Sequence, residues 1–488
     1  MRLLQRLYEA RGVLCGPKGV TSSTQQLMRQ ALALSRQLPP ASSSSEAIAF
    51  VAHRDADYLR NQWAIWLSNR MAVPLSTSSA LSERHHIIKD SGASHVISHP
   101  SMDTSNLSVP SFTFRDVTHE ASEEDLLTRL KQPALTENAM LLYTSGTTGV
   151  PKGVLATQSS LFAQVNDVAT TWELSPADHV LHFLPLHHAH GIVNNMLSPL
   201  LGGATVDCLE KASPAEIWSK LSDPANPVTV LMAVPSIYMM LLESFEKMDA
   251  KAQANAKAGL AHLRVAISGS MACPVSILQR WQALTGGKML LERYGMTECG
   301  MALGNPLHGE RHLGFVGQPF PSIEARTAPE TSELQLRGAT LFKEYWKRPI
   351  DTKEAWTDDG WFKTGDIAAY DEQRKSYKIL GRASVDIIKS AGYKISALEI
   401  EQVLLDHPQI RECAVYGAED ETWGQIVTAV LRVDPDVKNL EPSLEVFLQN
   451  KLAKYKKPRQ IHIVEEIPKN AMGKINKKQL AKLFATTK

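Results

Sequence analysis

Strand-like and helix-like segments alternate between residues 47 and 99. The short apolar runs AIAFVA, MAVPL and HVISH are separated by DADYLRNQWAIWLSN and ALSERHHIIKDSG, which have helical periodicity. Because strands joined through helices pair in parallel, this order predicts βαβ units and a mostly parallel sheet covered by helices. The pattern returns at residues 228–270, where VTVLMAVP, a helix from Ser236 and LRVAISGS follow one another. We therefore predict an α/β fold.

With 488 residues the chain is longer than one ordinary domain, so two or three domains are expected. The segment DDGWFKTGDIAAYDEQRKSYKILGR has the turns and alternation of a small β unit. After it, SALEIEQVLLDHP begins a helix with a predicted capping box of Ser396 and Glu399. We predict a large N-terminal domain of several subdomains at 1–381, a hinge at 382–386, and a small α+β C-terminal domain at 387–488.

Composition excludes several classes of function. The 52 Lys and Arg residues balance 51 Asp and Glu residues, so the net charge of +1 gives no field that favours nucleic acid. The 5 cysteines include no C-x-x-C pair, which argues against a zinc ribbon or a disulfide framework and is typical of a reducing compartment. No apolar run is long enough for a membrane span. We expect small-molecule substrates and no obligate protein partner.

The N-terminal stretch MRLLQRLYEARG is rich in arginine and poor in acidic residues. A mitochondrial presequence has this charge balance, but the stretch is short and lacks serine, so we expect an ordinary first helix. The final ATTK is not the S-K-L peroxisomal signal. These features predict a cytoplasmic protein, with the mitochondrial matrix as the alternative.

The segment LLYTSGTTGVPKGV (141–154) predicts a phosphate-binding loop, because its glycines allow close backbone approach and its hydroxyls and lysine can bind an anion. A P-loop would need glycine at Pro151 and a hydroxyl at Gly153. The flanking segments read as strands and the next helix begins only at Thr157, so a β-hairpin is expected to carry the loop. The predicted phosphate-binding residues are Thr144, Ser145, Gly146, Thr147, Thr148, Gly149, Val150, Pro151 and Lys152.

LERYGMTE, TGD (364–366) and PKNAMGK (468–474) follow the loop in that order. Each motif alone has an ordinary structural interpretation, such as a strand end, an Asx turn or a solvated basic tail. Together they resemble the adenylate-forming superfamily of acyl-CoA synthetases, luciferases and adenylation domains, from about residue 20 onward. LPLHHAHGIVNNMLSPLLGGA, GRASVDIIKSAGYKISALEIE and ETWGQIVTAV are similar to its malonyl-CoA synthetase branch, particularly the eukaryotic mitochondrial-type members.

The resemblance implies a reaction of ATP, CoA and a carboxylic acid in two steps. The carboxylate attacks the α-phosphorus of ATP and releases pyrophosphate, and the CoA thiol then displaces AMP. Lys474 would contact the carboxylate and the α-phosphate, and Thr297 would donate to the α-phosphate. Glu298 would ligate Mg²⁺, a hard cation suited to neutralising the leaving pyrophosphate.

The remaining nucleotide and CoA contacts also follow from the resemblance. Asp366 would hold the ribose hydroxyls, and Arg382 would contact the nucleotide. The small domain would turn about a hinge near Ser384 once the adenylate has formed, and would withdraw the catalytic lysine. Gly392 would line the path of the CoA pantetheine arm, with a plain turn as the alternative interpretation.

Arg293, within LERYG, bears on the identity of the acid. An unpaired guanidinium is costly in an apolar pocket, so an arginine there indicates an anion to meet it. The resemblance supplies the distal carboxylate of malonate, and an ion pair with Glu292 or another acid is the alternative. Ser270 and His188 match substrate contacts of the same branch.

The crowded histidines of HHAH raise the question of a metal site. Pro185 marks a loop and no carboxylate or thiol lies nearby in the sequence, so His187 and His190 are expected to be packed histidines.

The chain departs from the malonyl-CoA synthetase branch at one position, where a basic residue usually follows the tyrosine of VPSIYMMLL. Here Met239 and Met240 follow Tyr238. The sequence thus predicts an AMP-forming malonyl-CoA synthetase, with methylmalonate or another short diacid left open. A ligase for a fatty or aromatic acid, a unit that loads a carrier protein, and a degenerate ATP-binding scaffold are the alternatives.

Overall fold

A computed structural model describes residues 2–40, 46–133, 136–144, 151–434, 440–449, 451–469 and 475–484. Its strands are, in chain order, β1 (Val13–Cys15), β2 (Thr21–Ser23), β3 (Ala47–Val51), β4 (Met71–Leu75), β5 (Ala93–Ile97), β6 (Ser111–Phe112), β7 (Asn138–Thr144), β8 (Lys152–Thr157), β9 (His179–His182), β10 (Thr205–Cys208), β11 (Val230–Ala233), β12 (Val265–Ser268), β13 (Leu291–Met296), β14 (Gly300–Gly304), β15 (Gln318–Pro319), β16 (Ile323–Thr327), β17 (Glu333–Gly338), β18 (Glu344–Tyr345), β19 (Phe362–Asp371), β20 (Ser376–Arg382), β21 (Ile387–Ser390), β22 (Tyr393–Ser396), β23 (Ile410–Asp420), β24 (Gly424–Val433) and β25 (Gln460–Ile463).

The α-helices are α1 (Arg2–Ala10), α2 (Thr24–Ser35), α3 (Ala56–Leu67), α4 (Leu81–Ser91), α5 (Glu123–Lys131), α6 (Gln158–Thr171), α7 (Ser198–Leu201), α8 (Pro214–Leu221), α9 (Pro235–Glu246), α10 (Ala250–Leu260), α11 (Val275–Leu284), α12 (Pro349–Glu354), α13 (Ala397–Leu405), α14 (Glu441–Gln449) and α15 (Lys477–Leu483). A π-helix spans His190–Leu197, and a 3₁₀-helix spans Lys454–Lys456. No helix within the described ranges is long and apolar enough to cross a membrane.

The strands of the described residues form four sheets. The first has the order β15-β14-β13-β12-β11-β9-β10-β1-β2, and the second has the order β18-β8-β7-β4-β3-β5-β6. Both are parallel in their central strands, as βαβ connections require. The third, β16-β17-β19-β20, is antiparallel, and the fourth combines β22-β21-β24-β23 with β25. The predicted α/β architecture is confirmed, including β3, α3, β4 and α4 in the predicted order.

One apolar core joins α1, α2, α3 and α6 to both large sheets. Its largest fully buried side chains include Trp63, Trp66 and Trp172. Helix α1 contributes Leu3, Leu4 and Leu7, each at most 1% exposed, and burying a leucine contributes about 1.5–3 kcal/mol. The N-terminal stretch therefore contains an ordinary packed helix, as predicted.

The strands β7 and β8 form the predicted hairpin, with Thr144 paired to Lys152. Thr157 caps α6 by accepting a hydrogen bond from the Ser160 amide, so the helix starts where the sequence indicated. The segment 145–150 between the two strands lies outside the described residues. The strands on either side of it pair as a hairpin, whereas the strand before a P-loop is followed directly by a helix.

Residues 382–386 join β20 of the third sheet to β21 of the fourth. Ser396 caps α13 by accepting from the Glu399 amide, but the Glu399 carboxylate accepts from Lys456 Nζ (2.6 and 2.8 Å). A second apolar core, built on β21–β24, α13 and α14, fills this part of the chain. The domain limits at 381 and 387 stay a prediction.

Candidate active site

Strand β13 presents side chains to two parts of the site. It pairs in parallel with β12 and antiparallel with β14, so it lies where the parallel part of the first sheet ends. Successive side chains of a strand point to opposite faces. Arg293 contacts Ser270, which follows the carboxyl end of β12, whereas Tyr294 contacts Asp366 on β19. Ligand sites of parallel sheets commonly lie at such carboxyl ends.

Arg293 is a buried cation without a carboxylate partner among the described residues. It is 4% exposed, and its Nη2 donates to Ser270 Oγ at 3.1 Å. Its Nε is buried and has no hydrogen-bond partner in the part of the chain that the structure describes. Burial disfavours the charged form and lowers the pKa of Arg293 to about 9. An anionic group brought by a ligand would restore the lost stabilisation.

Ser270 has a backbone conformation that residues other than glycine rarely adopt, with φ of +71°. Backbone strain of this kind is concentrated at ligand sites, where surrounding contacts maintain it. Here the contacts are the guanidinium of Arg293 and the ring of His190, whose Nδ1 lies 3.2 Å from Ser270 Oγ. The structure thus brings together two predicted residues and one that the sequence had suggested was only packed.

His190 begins the π-helix, a rare element that often occurs at functional sites. Burial, with the positive charge of Arg293 as a second cause, holds the pKa of His190 well below its usual range. The ring is therefore neutral, so its Nδ1 can accept from the Ser270 hydroxyl while that oxygen accepts from Arg293. Its place two residues after His188 in HHAH was the available signal.

His188 lies just before the π-helix, with its ring 4.1 Å from the ring of His187. When protonated, His188 is one of the positive charges that lower the pKa of His190. His188 therefore lies close to His190. A contact of His188 with substrate stays a prediction.

Gly269 clears the space that the Arg293 side chain fills. A Cβ at this position would lie 2.4 Å from Arg293 Nε and 2.6 Å from its Cζ, closer than non-bonded atoms can approach. Any larger residue would displace the guanidinium. This role of Gly269 was not predicted from the sequence, although the glycine lies inside the ISGS motif.

Glu292 is not the partner of Arg293 in the structure. It accepts a hydrogen bond from the Gly314 amide at 2.8 Å, and burial raises its pKa to about 8. As neighbours on a strand, Glu292 and Arg293 point to opposite faces. The alternative of a structural ion pair between them is therefore wrong.

Asp366 is a buried carboxylate oriented by two other residues. It is 7% exposed and accepts from Arg382 Nε at 3.0 Å and from the Tyr294 hydroxyl at 2.6 Å. Burial lowers the pKa of Arg382, but the charge of Asp366 and its hydrogen bond more than offset this and raise it overall. The predicted pair for the nucleotide is thus assembled, and Tyr294 is an addition that the sequence did not indicate.

Glu298 and Lys152 are joined through Tyr345. The Tyr345 hydroxyl donates to Glu298 Oε1 at 2.9 Å, and Lys152 Nζ lies 5.5 Å from the centre of its ring. Lys152 also forms an ion pair with Asp351. Glu298 is 6% exposed, and burial raises its pKa. A divalent cation would offset that desolvation, and a carboxylate is the ligand type that Mg²⁺ prefers.

The remaining predicted residues lie near these groups or belong to the segments outside the described residues. Thr297 lies in the turn between β13 and β14, and Pro151 directly precedes β8. Gly392 lies between β21 and β22 with φ of +84°, and a Cβ there would meet no atom of the described residues within 4 Å. Ser145, Gly146, Thr147, Thr148, Gly149, Val150 and Lys474 lie outside the described residues.

Away from this site, His53, Asp55 and His99 bring potential metal ligands together. Asp55 Oδ2 lies 2.9 Å from His53 Nδ1 and 3.1 Å from His99 Nε2, while its Oδ1 caps α3. The Ser101 amide donates to His99 Nδ1 at 3.1 Å, so the ring proton of His99 lies on Nε2 and is directed to Asp55. We interpret the group as a hydrogen-bonded helix cap.

Several known proteins are similar to this chain over most of its length. A malonate–CoA ligase of Xenopus laevis, described as mitochondrial, is 40% identical over 91% of this chain and 83% of its own length. A malonate–CoA ligase of Arabidopsis thaliana is 38% identical over 89% of this chain and 77% of its own length. The crystal structure of ATP-bound MatB from Rhodopseudomonas palustris superposes with a TM-score of 0.85, at 28% identity over 99% of both chains.

Residues 8–346 match the AMP-binding enzyme family, and residues 399–474 match the C-terminal domain of AMP-binding enzymes. The two matches include the hairpin, β13 and the segment that carries Lys474. The resemblance predicted from the motifs is thereby confirmed, and the chain belongs to the AMP-binding enzyme family.

Proposed function

We propose that this protein is an ATP-dependent malonate–CoA ligase. It converts malonate, ATP and CoA into malonyl-CoA, AMP and pyrophosphate through an acyl-adenylate. The observation that carries the proposal is Arg293, a buried cation with a serine rather than a carboxylate as its hydrogen-bond partner. Fatty and aromatic acids offer no anion at their far end to meet that charge, whereas a short diacid does.

The adenylation step must bring two anions together. The distal carboxylate of malonate binds to Arg293 and Ser270, which leaves the other carboxylate free to attack the α-phosphorus. Lys474 and Thr297 contact the reacting oxygens, and the hairpin loop with Lys152 holds the β- and γ-phosphates. Glu298 would hold Mg²⁺, which supplies positive charge for the leaving pyrophosphate.

The nucleotide is positioned by Asp366, whose carboxylate accepts from the two ribose hydroxyls. Arg382 and Tyr294 hold that carboxylate in place before ATP arrives, because both already donate to it. Because the carboxylate is already oriented, less conformational entropy is lost when the nucleotide binds.

CoA binding is supported by the surface around Gly392. Tyr393 and Tyr455 stack with ring centres 4.3 Å apart, and both are exposed. Arg459 lies over the exposed ring of Trp423 at 4.0 Å. Exposed aromatic rings beside cations suit the adenine and phosphates of CoA. The small domain at 387–488 turns about the hinge at 382–386 to bring this surface to the adenylate.

The vertebrate relatives are described as mitochondrial, which favours the mitochondrial matrix over the cytoplasm that we predicted. Immunodetection of the endogenous protein in purified mitochondria and cytosol distinguishes the two compartments.

Release of pyrophosphate with a panel of acids, with and without CoA, tests the function. The panel contains malonate, methylmalonate, sulfoacetate, succinate, hexanoate and a cinnamate. Sulfoacetate is included because a sulfoacetate–CoA ligase is 34% identical over 74% of this chain. We expect CoA-dependent turnover of malonate above all others. Turnover of hexanoate or the cinnamate without malonate would refute the proposal.

A further inference from the structure

Lys477 forms a buried ion group with two carboxylates. Its Nζ lies 2.5 Å from Asp386 Oδ1 and 2.7 Å from Glu401 Oε1. The three side chains are 10%, 16% and 14% exposed, so water solvates none of them well. A cation placed between two acids at this depth is held in a defined position, because each alternative leaves a buried charge unpaired.

Asp386 connects this group to the predicted hinge. Its Oδ2 accepts from the Arg382 amide at 3.0 Å, while Oδ1 binds Lys477. Gly381 permits the close approach, since a Cβ there would lie 2.5 Å from Asp386 Cβ. The side chain of Arg382 in turn holds Asp366. One carboxylate thus bridges the backbone at the nucleotide site and the start of α15.

Glu401 fixes the other side of the group to the fourth sheet. It lies on α13, and its Oε1 also accepts from the Val415 amide of β23 at 2.7 Å. Burial raises the pKa of Glu401, with Lys477 opposing the rise. Burial lowers the pKa of Lys477, but the two carboxylates more than offset this and keep it charged.

We propose that Lys477 is a positioning residue that couples the hinge at Asp386 to the segment carrying Lys474. The inference rests on the proposed role of Lys474 in adenylation. Lys477 begins α15 and follows Lys474 by three residues in the sequence, so its ion pairs fix the start of the helix that comes directly after the segment carrying Lys474. A rotation that moves the Arg382 amide changes the bonds of Asp386, and Lys477 transmits the change.

Coupling of this kind acts on the step that uses Lys474 and spares the step that does not. Replacing Lys477 by methionine keeps most of the length of the unbranched side chain but removes the charge, leaving Asp386 and Glu401 without their cation. We expect adenylation to slow at least roughly tenfold in kcat, with KM values for ATP and malonate within about twofold. Thioester formation from supplied malonyl-adenylate and CoA changes by less than about twofold.

The experiment compares Lys477→Met, Lys477→Arg and Lys478→Met in the full-length enzyme. Lys478 is the neighbouring exposed lysine and serves as the matched control. Malonate-dependent ATP–pyrophosphate exchange measures the first step, and thioester formation from malonyl-adenylate measures the second. Lys477→Arg, which keeps the charge, is expected to recover most of the exchange, and Lys478→Met to match the wild type.

Equal loss of both steps in Lys477→Met, or no loss in either, would overturn the inference, because neither result singles out the step that uses Lys474. If Lys477→Met does not fold, Asp386→Asn is judged by the same criterion, since Glu401 still pairs with Lys477 in that variant. A wild-type enzyme without malonate-dependent exchange would instead refute the proposed function. The two failures are therefore distinguishable.

Discussion

Two arginines of the site are held in opposite ways. Arg382 lies against the Asp366 carboxylate, and its pKa is raised overall despite burial. Arg293 lies against a serine hydroxyl, and burial lowers its pKa to about 9. The protein supplies a carboxylate to the arginine of the proposed nucleotide site, and its described residues supply none to the arginine of the proposed acyl site.

The difference shows where binding free energy is stored. A paired arginine orients its carboxylate partner, so in the proposed complex the ribose would meet groups that are already in place. An unpaired buried arginine destabilises the free enzyme and is relieved when a substrate brings the missing anion. The site then selects a diacid, because an acid without a second carboxylate gives the guanidinium no anionic partner.

The largest effect is expected for Arg293→Met. We expect kcat/KM for malonate to fall about a thousandfold, which corresponds to ~4 kcal/mol, because the distal carboxylate loses its counter-charge. Steady-state kinetics measure this, with Arg115→Met at an exposed arginine as control. The KM for ATP stays within about threefold, and thermal stability is maintained or increased. An unchanged KM for malonate would remove the distinction between the arginines.

Asp366→Asn tests the other side of the comparison. We expect kcat/KM for ATP to fall about a hundredfold, or ~3 kcal/mol, because the ribose loses its acceptor and Arg382 its counter-charge. The melting temperature should also fall, unlike that of Arg293→Met. Kinetics and calorimetry are compared with Asp358→Asn at an exposed position. Equal stability changes in Asp366→Asn and Arg293→Met would contradict the contrast.

Gly269→Ala sharpens the geometry at the acyl end. The added methyl group would displace the guanidinium from its place 2.4 Å away, and overpacking costs about 1–3 kcal/mol. We expect kcat/KM for malonate to fall about tenfold, and the KM for ATP to stay unchanged. Gly16→Ala is the control, because a Cβ there makes an ordinary contact of 3.6 Å.

The double variant Gly269→Ala/Arg293→Met gives a further check on this geometry. The glycine substitution should cost little once the guanidinium is gone. Full additivity of the two losses would show that Gly269 acts on something other than Arg293.

The smallest effect on catalysis is expected for Glu292→Gln, which probes stability. The pKa of Glu292 is raised from 4.5 to about 8 by burial, so between these values the folded state binds a proton that the unfolded state has lost. Stability therefore falls as pH rises through this window, by ~1.4 kcal/mol per pH unit while the difference persists.

Glutamine in place of Glu292 should remove that part of the fall while malonate kinetics change by less than about twofold. Denaturant unfolding at pH 6, 7 and 8 measures the slope in both proteins. Identical slopes would mean that Glu292 is ionised in the folded state. The conclusion that Glu292 forms no ion pair with Arg293 would then need revision.

The sequence predicted those features that depend on neighbouring residues. The β3-α3-β4-α4 order follows from local periodicity, and the hairpin follows from two strand-like runs around a glycine-rich segment. The final strand of that series, β5, lies at Ala93–Ile97 instead of HVISH, because pairing with β3 selects its limits. Arg293 was predicted as a substrate contact because the resemblance places its charge in an acyl pocket that would be apolar in a ligase for a fatty or aromatic acid.

The missed features depend on contacts between distant segments. His190 meets Ser270 across 80 positions, and Tyr294 meets Asp366 across 72. The need for glycine at position 269 becomes evident only once the path of the Arg293 side chain is known. No local pattern encodes such contacts, since they form only when elements far apart in the sequence pack together.

In the proposed function, adjacent positions of β13 face different substrates, with Arg293 toward the acid and Tyr294 toward the nucleotide. Residues on one side of the strand can be exchanged while those on the other keep ATP in register. A new acid can thus be accommodated by altering a few side chains, with the chemistry at phosphorus inherited intact.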